Sequence, residues 1–308
     1  MSPLGQSLAD YLRIRRALGF KLERDAKLLV QFIDYLEQQD AVTVTVDHAV
    51  AWVRLPAGAS PSWLAFRMSV VRGFAAYLHT LDPAVQVPPA GLVPPGPHRA
   101  VPYLYSAADI AALLAAAATL RYRLQGATYQ TLIGLLAVTG LRVGEAIGLD
   151  DADFDIEHGV LTVHGAKFGK SRQVPLHQST VTALRGYQRL RDQTHPSPAT
   201  PALLVSTPGT RLSNVNVNAT FVKLVRRAGL QPRSAACRPR PHDLRHTFAV
   251  NTLLDWYRDG GDVQARLPLL STYLGHVEPA NTYWYLQAAP ELLAEAALRL
   301  DTQQAGQQ

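Results

Sequence analysis

Apolar residues recur at helical spacing through the first eighty positions of the chain. One helix face is defined by Leu28, Leu29, Phe32, Ile33 and Leu36, and a second by Trp63, Phe66, Val70, Phe74, Tyr77 and Leu78. Two further helices are predicted at about 5–18 and 46–54, the second with Thr45 as its N-cap. The pattern predicts a small all-helical bundle over residues 1–82.

Proline interrupts this pattern after residue 82. Seven of the chain's 21 prolines lie between Pro83 and Pro102. Proline lacks an amide donor and disfavours helix in the residue before it, so the stretch 83–103 is predicted to be an extended linker. The change from helical periodicity to a proline-rich composition places a boundary between two domains.

Residues 104–300 mix helical and strand patterns. Ser106 and Asp109 form a predicted N-cap ahead of a helix rich in alanine and leucine. The predicted elements are helices at 106–119, 127–138, 142–148 and from about 213 onward with a break at 259–262, and strands at 160–164, 172–176 and 202–206. Residues 165–169 are predicted to form a hairpin turn, and 301–308 a frayed tail. The expected fold is a helical bundle followed by a mainly α domain with a small antiparallel sheet.

Composition narrows the choice of partner without deciding it. The chain has 308 residues, a net charge of +6 and a pI near 9.5, which favours an anionic partner such as nucleic acid. Cys237 is the single cysteine, which excludes an internal disulfide and a cysteine-rich zinc site. No signal-peptide pattern and no apolar stretch of membrane-spanning length is visible, so a cytoplasmic protein is expected.

A first segment that could carry chemistry surrounds Arg142. The run Thr139-Gly-Leu-Arg142 leads into a predicted helix, with Glu145 three residues further on. The helix dipole disfavours a cation in the first turn, so Arg142 needs another reason to be there. The simple alternative is a surface arginine that pairs with Glu145.

A second segment is the predicted hairpin turn, which carries Lys167 and Lys170. A lysine at a hairpin tip can reach across a cleft, as a general acid must. The alternative is a solvated basic turn.

The remaining segments lie towards the end of the chain. His242 and Arg245 are three residues apart on a predicted helix that starts at Pro241, so an imidazole and a guanidinium share one helix face. They are followed by His276 in Leu274-Gly-His276 and, nine residues later, by Tyr285.

Taken in order, these segments resemble the catalytic set of the tyrosine recombinases, also called phage-type integrases. The matching pieces are Thr139-Gly-Leu-Arg142, Lys167-x-x-Lys-x-Arg172, His242-Asp-Leu-Arg245-His-Thr-Phe248, Leu274-Gly-His276 and Tyr285. The resemblance covers essentially the whole chain, because the family also has a helical, SAM-like N-terminal domain that clamps DNA. The long run from Arg245 to Gly275 and the residues 282–286 resemble integrases carried on transposons.

The resemblance implies a site-specific recombinase that breaks and rejoins double-stranded DNA through a 3′-phosphotyrosine on Tyr285, acting as a tetramer. Arg142 and Arg245 would clamp the phosphate, since guanidinium groups offer planar donors that stay charged. Glu145 would orient a catalytic group. No metal or cofactor is expected, and the absence of a P-loop motif agrees with a reaction that needs no ATP.

The proton-transfer roles are also implied by the resemblance. His242 would accept the proton of the tyrosine, and His276 would donate a hydrogen bond to the phosphate. Lys167 would protonate the leaving 5′ oxygen. Ala166 and Phe168 stand where the family more often has glycine, which leaves Lys170 as the alternative general acid.

Several basic residues are predicted to contact DNA phosphates. Six of them form a stretch without an acid, and two lie in or beside the hairpin turn: Lys223, Arg226, Arg227, Arg233, Arg238, Arg240, Lys170 and Arg172. A further set, Arg13, Arg15, Arg16 and Lys21, either serves the same end or forms a solvated helix face.

Other readings stay open at the level of sequence. His242 and His246, at i and i+4, could hold zinc in a metal-dependent nuclease. A type IB topoisomerase would use the same chemistry, and a DNA-binding module could have lost it. Tyr283 is the rival nucleophile, and the amphipathic segment 290–300 either docks on a neighbouring subunit or packs on its own domain.

Overall fold

The structure, a computed structural model, describes residues 2–94, 101–164, 171–275 and Thr282. The chain divides into two compact units, Met1–Ala100 and Val101–Gln308. Each unit has its own buried apolar core.

Four helices form the first unit: α1 (Pro3–Ala17), α2 (Glu23–Gln38), α3 (Val46–Arg54) and α4 (Pro61–Leu81). The predicted N-cap is confirmed, because the Thr45 hydroxyl accepts a hydrogen bond from the backbone of His48 at 3.2 Å. The apolar faces of α2, α3 and α4 meet in a core where Phe32, Trp52 and Phe74 are almost fully buried.

The proline-rich stretch departs from an extended linker over its first part. Arg72 on α4 donates to the carbonyls of Pro88 and Pro89 at 2.8 and 3.0 Å. The backbone amide of Gln86 donates to the Val44 carbonyl at 2.9 Å. Proline removes backbone donors but not acceptors, so an arginine side chain can hold the segment against the bundle.

The described residues of the second unit form seven helices: α5 (Ala107–Ala118), α6 (Arg123–Thr139), α7 (Val143–Gly148), α8 (Gln178–Thr194), α9 (Asn214–Arg227), α10 (Asp243–Arg258) and α11 (Val263–Leu274). The predicted cap at Ser106 is confirmed, since its hydroxyl and the Asp109 carboxylate exchange hydrogen bonds with each other's backbone amides. Helix α6 packs against α5, α8 and α10, so it lies at the centre of this unit.

The sheet has three antiparallel strands in the order β1 (Phe154–Asp155), β2 (Val160–Val163) and β3 (Arg172–Pro175). Val163 pairs with Arg172 at the end of the β2–β3 ladder. The predicted turn between these strands lies outside the described residues. A mainly helical fold with a small antiparallel sheet is therefore confirmed.

Two sequence predictions need correction. Residues 202–206 form isolated bridges at Ala202 and Val205 rather than a strand, because this apolar run is buried in the core as an irregular segment. Helix α8 was not predicted, since its buried apolar positions, Val181, Leu184 and Tyr187, are few among polar neighbours.

The predicted break at 259–262 separates α10 from α11. Gly260 adopts a φ of 78° there, and the Asp262 carboxylate caps α11 by accepting from the Ala265 amide at 3.1 Å. In the part of the chain that the structure describes, no helix is long and apolar enough to cross a bilayer.

Candidate active site

A glycine turn joins α6 to α7 and sets the direction of Arg142. Gly140 has a φ of 62°, and a Cβ there would lie 2.5 Å from Cδ1 of Phe248. Both the backbone conformation and the close approach therefore require glycine. Arg142 follows as the N-cap of α7 with extended backbone, not inside the first turn as predicted.

Glu145 explains how a cation is tolerated at this helix start. Its carboxylate accepts from the backbone amide of Arg142 at 2.9 Å and from Nη1 of the same residue at 2.7 Å. It also accepts from Nη1 and Nη2 of Arg172 at 3.1 and 2.8 Å. Burial alone would raise the pKa of Glu145, but the hydrogen bonds from Arg172 and Arg142 outweigh it and lower the pKa to about 2.

Arg245 is the most buried cation of the site, with 1% of its surface exposed. Its Nη1 donates to the Gly140 carbonyl at 2.7 Å, and its Nη2 donates to the Leu274 carbonyl at 2.6 Å. The first turn of α10 thus holds together the end of α6 and the end of α11.

Three arginines meet at the end of α11, and we call Arg142, Arg172 and Arg245 the arginine cluster. Nη2 of Arg142 donates to the Gly275 carbonyl at 3.1 Å, beside the Leu274 carbonyl that accepts from Arg245. Gly275 has a φ of 67°, and a Cβ there would lie 3.0 Å from Nη1 of Arg172. The guanidinium groups of Arg142 and Arg245, more than a hundred positions apart in sequence, therefore donate to two adjacent residues.

The cluster carries an excess of positive charge. Across residues 101–164 and 171–275, Arg142 and Arg172 share the carboxylate of Glu145, so two cations meet one anion there. The Arg142 side chain is 38% exposed, whereas that of Arg172 is 12% exposed. A cluster with this balance, open at Arg142, is suited to bind an anion such as a phosphate.

The histidine segment begins with a tight turn. Helix α10 starts at Asp243, two residues later than predicted, and Pro241 lies in the turn before it. His242 is exposed, and its ring meets the ring of buried His246 edge-on with centroids 4.8 Å apart. Asp243 is fully buried and accepts from Arg240 in a two-point ion pair, which anchors the turn.

Several predicted site residues lie outside the described residues. They are Lys167, Lys170, His276, Tyr283 and Tyr285. His276 is next in sequence to Gly275, whose carbonyl accepts from Arg142.

The predicted DNA-contacting residues occupy different surroundings. Lys223, Arg226, Arg227 and Arg238 are exposed on α9 and the segment after it. Arg240 and Arg172 instead form ion pairs with Asp243 and Glu145, and Arg233 donates to the Leu104 carbonyl at 2.8 Å.

Sequence reasoning missed Arg211, which holds the other end of α7. Its Nη1 donates to the carbonyls of Ile147, Gly148 and Leu149 at 3.0, 2.8 and 3.1 Å, and its Nη2 pairs with Asp150. The residue caps the helix that starts at Arg142. No local pattern could have shown this, because the partners are more than sixty positions apart.

Among the described residues, no group of three or more histidine, cysteine, aspartate or glutamate side chains could hold a metal ion. His242 and His246 lie side by side, but no described third ligand joins them.

Comparison with protein families matches the phage integrase family model to residues 105–291. That range spans every residue of the arginine cluster, and His242 and His246 as well.

Curated relatives match over most of the chain. A Sinorhizobium fredii protein named as an integrase/recombinase, y4rB, is 46% identical over 98% of this chain and 98% of its own length. Tyrosine recombinase XerC of Azotobacter vinelandii is 33% identical over 74% of this chain and 70% of its own length.

Solved structures share the fold. A Tn1549 transposon integrase in complex with circular intermediate DNA superposes with a TM-score of 0.64 at 20% identity, covering 96% of this chain and 98% of that one. The XerA recombinase superposes with a TM-score of 0.53 at 24% identity, with the same coverage of both chains.

Proposed function

Since the chain belongs to the phage integrase family and is a tyrosine-type site-specific recombinase, we propose that its arginine cluster grips the DNA phosphate that Tyr285 attacks. One observation carries this assignment. Arg142 and Arg245 donate to the adjacent carbonyls of Gly275 and Leu274, although their positions in sequence are far apart. Carbonyl and phosphate oxygens are both acceptors, so these donors already point at an acceptor position.

The two arginines divide the work in this proposal. Arg142, with the more exposed side chain, contacts a non-bridging oxygen first. Arg245 is held in place by the carbonyls of Gly140 and Leu274 and adds its positive charge at the same phosphate. Both groups stabilise the charge that gathers on the phosphoryl oxygens during in-line attack.

In the proposed reaction, one bond to phosphorus forms as another breaks. The Tyr285 phenol gives its proton to His242 and forms a bond to phosphorus, while the bond to the 5′ oxygen breaks. A lysine of the turn, Lys167 with Lys170 as the alternative, protonates that oxygen. His276 donates a hydrogen bond to the phosphate.

The product is a 3′-phosphotyrosine and a free 5′-hydroxyl. A second 5′-hydroxyl can reverse the attack and expel the tyrosine, so rejoining needs no nucleotide hydrolysis. Glu145 acts by orientation, because it accepts from both Arg142 and Arg172 and stays ionised.

The wider organisation is proposed on the same basis. The helices of residues 1–82 would clamp DNA as a SAM-like domain, and residues 104–300 would cut it, as a tetramer assembled on duplex DNA in the cytoplasm. Exposed Lys223, Arg226, Arg227 and Arg238 would contact phosphates. The long run between Arg245 and Gly275 supports assignment to the integrases of transposons.

Trapping the covalent intermediate tests the proposal. The DNA site is first recovered by sequencing host DNA fragments that stay attached to the wild-type chain after denaturation. A duplex of that sequence is nicked just beyond the cleavage point, so that the short fragment carrying the new 5′-hydroxyl diffuses away and the adduct accumulates. Wild type should form it in excess chelator, whereas Tyr285→Phe should form none.

Tyr283→Phe is the matched control, because it removes the neighbouring phenol. An adduct that persists in Tyr285→Phe and disappears in Tyr283→Phe would move the nucleophile to the rival position. Cleavage that requires a divalent metal, with no protein attached to DNA, would point to the nuclease chemistry instead.

A further inference from the structure

We propose that Arg172 is a positioning residue that fixes the start of β3 to Glu145 and thereby sets where the chain leaves the sheet towards Lys167 and Lys170, one of which protonates the leaving oxygen. The inference rests on the proposed function. It moves Arg172 from the predicted DNA contacts to the interior of the site.

The position of Arg172 in the sheet is the first observation. It is the first residue of β3 and pairs with Val163, the last residue of β2. These two residues therefore lie at the ends of the two strands that the chain carrying Lys167 and Lys170 connects. Lys170 lies two positions before Arg172, and Lys167 lies five positions before it.

The contacts of its guanidinium are the second observation. Both terminal nitrogens donate to Glu145, one to each carboxylate oxygen, at 3.1 and 2.8 Å. Its Nη1 would lie 3.0 Å from a Cβ placed on Gly275, so the guanidinium packs against that residue's backbone. A two-point ion pair fixes orientation as well as distance, which a single lysine contact would not.

Burial argues against a direct role in binding DNA. The Arg172 side chain is 12% exposed, compared with 38% for Arg142, and its Nε is buried with no acceptor among the described residues. Little of its surface can meet a phosphate. The same carboxylate also accepts from Arg142, so Glu145 positions both the proposed phosphate-binding arginine and the start of β3.

This shared carboxylate has a consequence for proton transfer. A lysine side chain is long and flexible, so the place it can reach is set by where its backbone leaves the sheet. A shift of about 1 Å in a reacting group can cost roughly 100-fold in rate. Loss of the Arg172 contact should therefore slow protonation of the leaving oxygen more than it weakens binding of the phosphate by the arginines.

Changing the leaving group tests this separation. The probe is the nicked duplex with sulfur in place of the bridging 5′ oxygen at the cleavage point. Attack by tyrosine forms the same phosphorus–oxygen bond and breaks the phosphorus–sulfur bond. The thiolate leaves without a proton, since a thiol is far more acidic than an alcohol.

Arg172→Gln should lower the rate of adduct formation on the oxygen duplex by about 100-fold, and on the sulfur duplex by less than about 10-fold. The variant of the acid lysine, Lys167→Ala or Lys170→Ala, should show the same rescue. Arg142→Ala should be slow on both duplexes. Equal loss of Arg172→Gln on both duplexes, or no loss on either, would overturn the inference.

Two further variants separate positioning from folding. Arg191→Gln removes another buried arginine ion pair of the same unit, with a side chain 7% exposed, and should lower stability without selective rescue by sulfur. Arg172→Lys keeps the charge without the two-point contact and should show a smaller loss with the same rescue. If Arg172→Gln does not fold, Arg172→Lys is the deciding variant, and a loss of rate on both duplexes in that variant overturns the inference.

The outcome for wild type separates this inference from the proposed function. If wild type forms the adduct but sulfur does not rescue the Arg172 variants, the inference is wrong and the proposed function is unaffected. If wild type forms no adduct on either duplex, the proposed function is wrong.

Discussion

Two arginine centres of the second unit differ in their balance of charge. Around Arg191, one guanidinium meets two carboxylates, with Asp151 at 2.7 Å and Asp192 at 2.8 Å, and it also donates to the Leu203 carbonyl at 3.2 Å. In the arginine cluster, two guanidinium groups, those of Arg142 and Arg172, share the carboxylate of Glu145 among the described residues. The first centre has a surplus of acids, and the second has a surplus of cations.

The difference separates a structural role from a functional one. A buried cation is costly unless it is paired and hydrogen-bonded, and Arg191 is satisfied by its own neighbours. In the arginine cluster, the two cations that share Glu145 leave a positive charge beside the exposed side chain of Arg142, which a bound anion would balance. Charge surplus, rather than burial, therefore distinguishes the two centres, and four experiments test that contrast.

The largest effect is expected at Arg142. Arg142→Ala should lower the rate of adduct formation by about 100- to 1000-fold, or roughly 3–4 kcal/mol, because one stabilising contact to the transition state is lost. DNA binding should change little, since several other exposed basic residues are proposed to contact the DNA backbone. Single-turnover cleavage and a binding assay on the same duplex separate the two quantities. A proportional loss of binding would contradict this assignment.

Glu145 should give the next largest effect, seen as stability that depends on pH. Its pKa in the folded chain is about 2, below its ordinary value of 4.5, so the ionised form stabilises the fold above pH 4.5. This stabilisation, about 3 kcal/mol, should be lost as the pH falls from 4.5 towards 2. Urea unfolding of wild type and Glu145→Gln should therefore differ at pH 7 and converge at the acid end. A constant difference across that window would contradict the ion pairs described here.

Arg191→Gln should have a smaller effect, confined to stability. Removing hydrogen bonds to charged groups costs roughly 2 kcal/mol, and the half-exposed carboxylates left behind can turn to water. Urea unfolding should reveal the loss, while the cleavage rate of the folded fraction stays at the wild-type level. Slower cleavage in fully folded protein would erase the proposed difference between the centres.

The smallest effect belongs to the exposed basic residues of α9. Arg226→Ala should reduce the dependence of DNA affinity on salt by about one counterion, with little change in the cleavage rate at saturating DNA. Fluorescence anisotropy over a range of salt concentrations measures the slope. An unchanged slope would mean that this exposed charge does not meet a phosphate.

Local patterns predicted most of the helices and the strands β2 and β3. Thr45 and Ser106 were identified as N-caps because capping depends on residues three positions apart. The irregular run 202–206 was mistaken for a strand, since an apolar run of that length has no periodicity to distinguish strand from buried loop. The same limit hid α8, whose stripe of apolar residues is narrow.

The candidate site, too, could be predicted from the sequence only in part. The order of Arg142, His242 and Arg245 in sequence indicated the family, and the family model spans them. The catalytic roles stay predictions, as do those of Lys167, Lys170, His276 and Tyr285. The sequence did not indicate that Arg172 faces inwards, because its partner Glu145 lies 27 positions away.

By itself, the amino-acid sequence determined the residue types, their spacing along each element and the family to which the chain belongs. Tertiary structure alone decided which charges meet: that Glu145 joins Arg142 to Arg172, and that Arg245 reaches the end of α11. The physical reason is that helix and turn signals act over a few residues. Ion pairs and carbonyl contacts instead depend on where packing brings distant elements together.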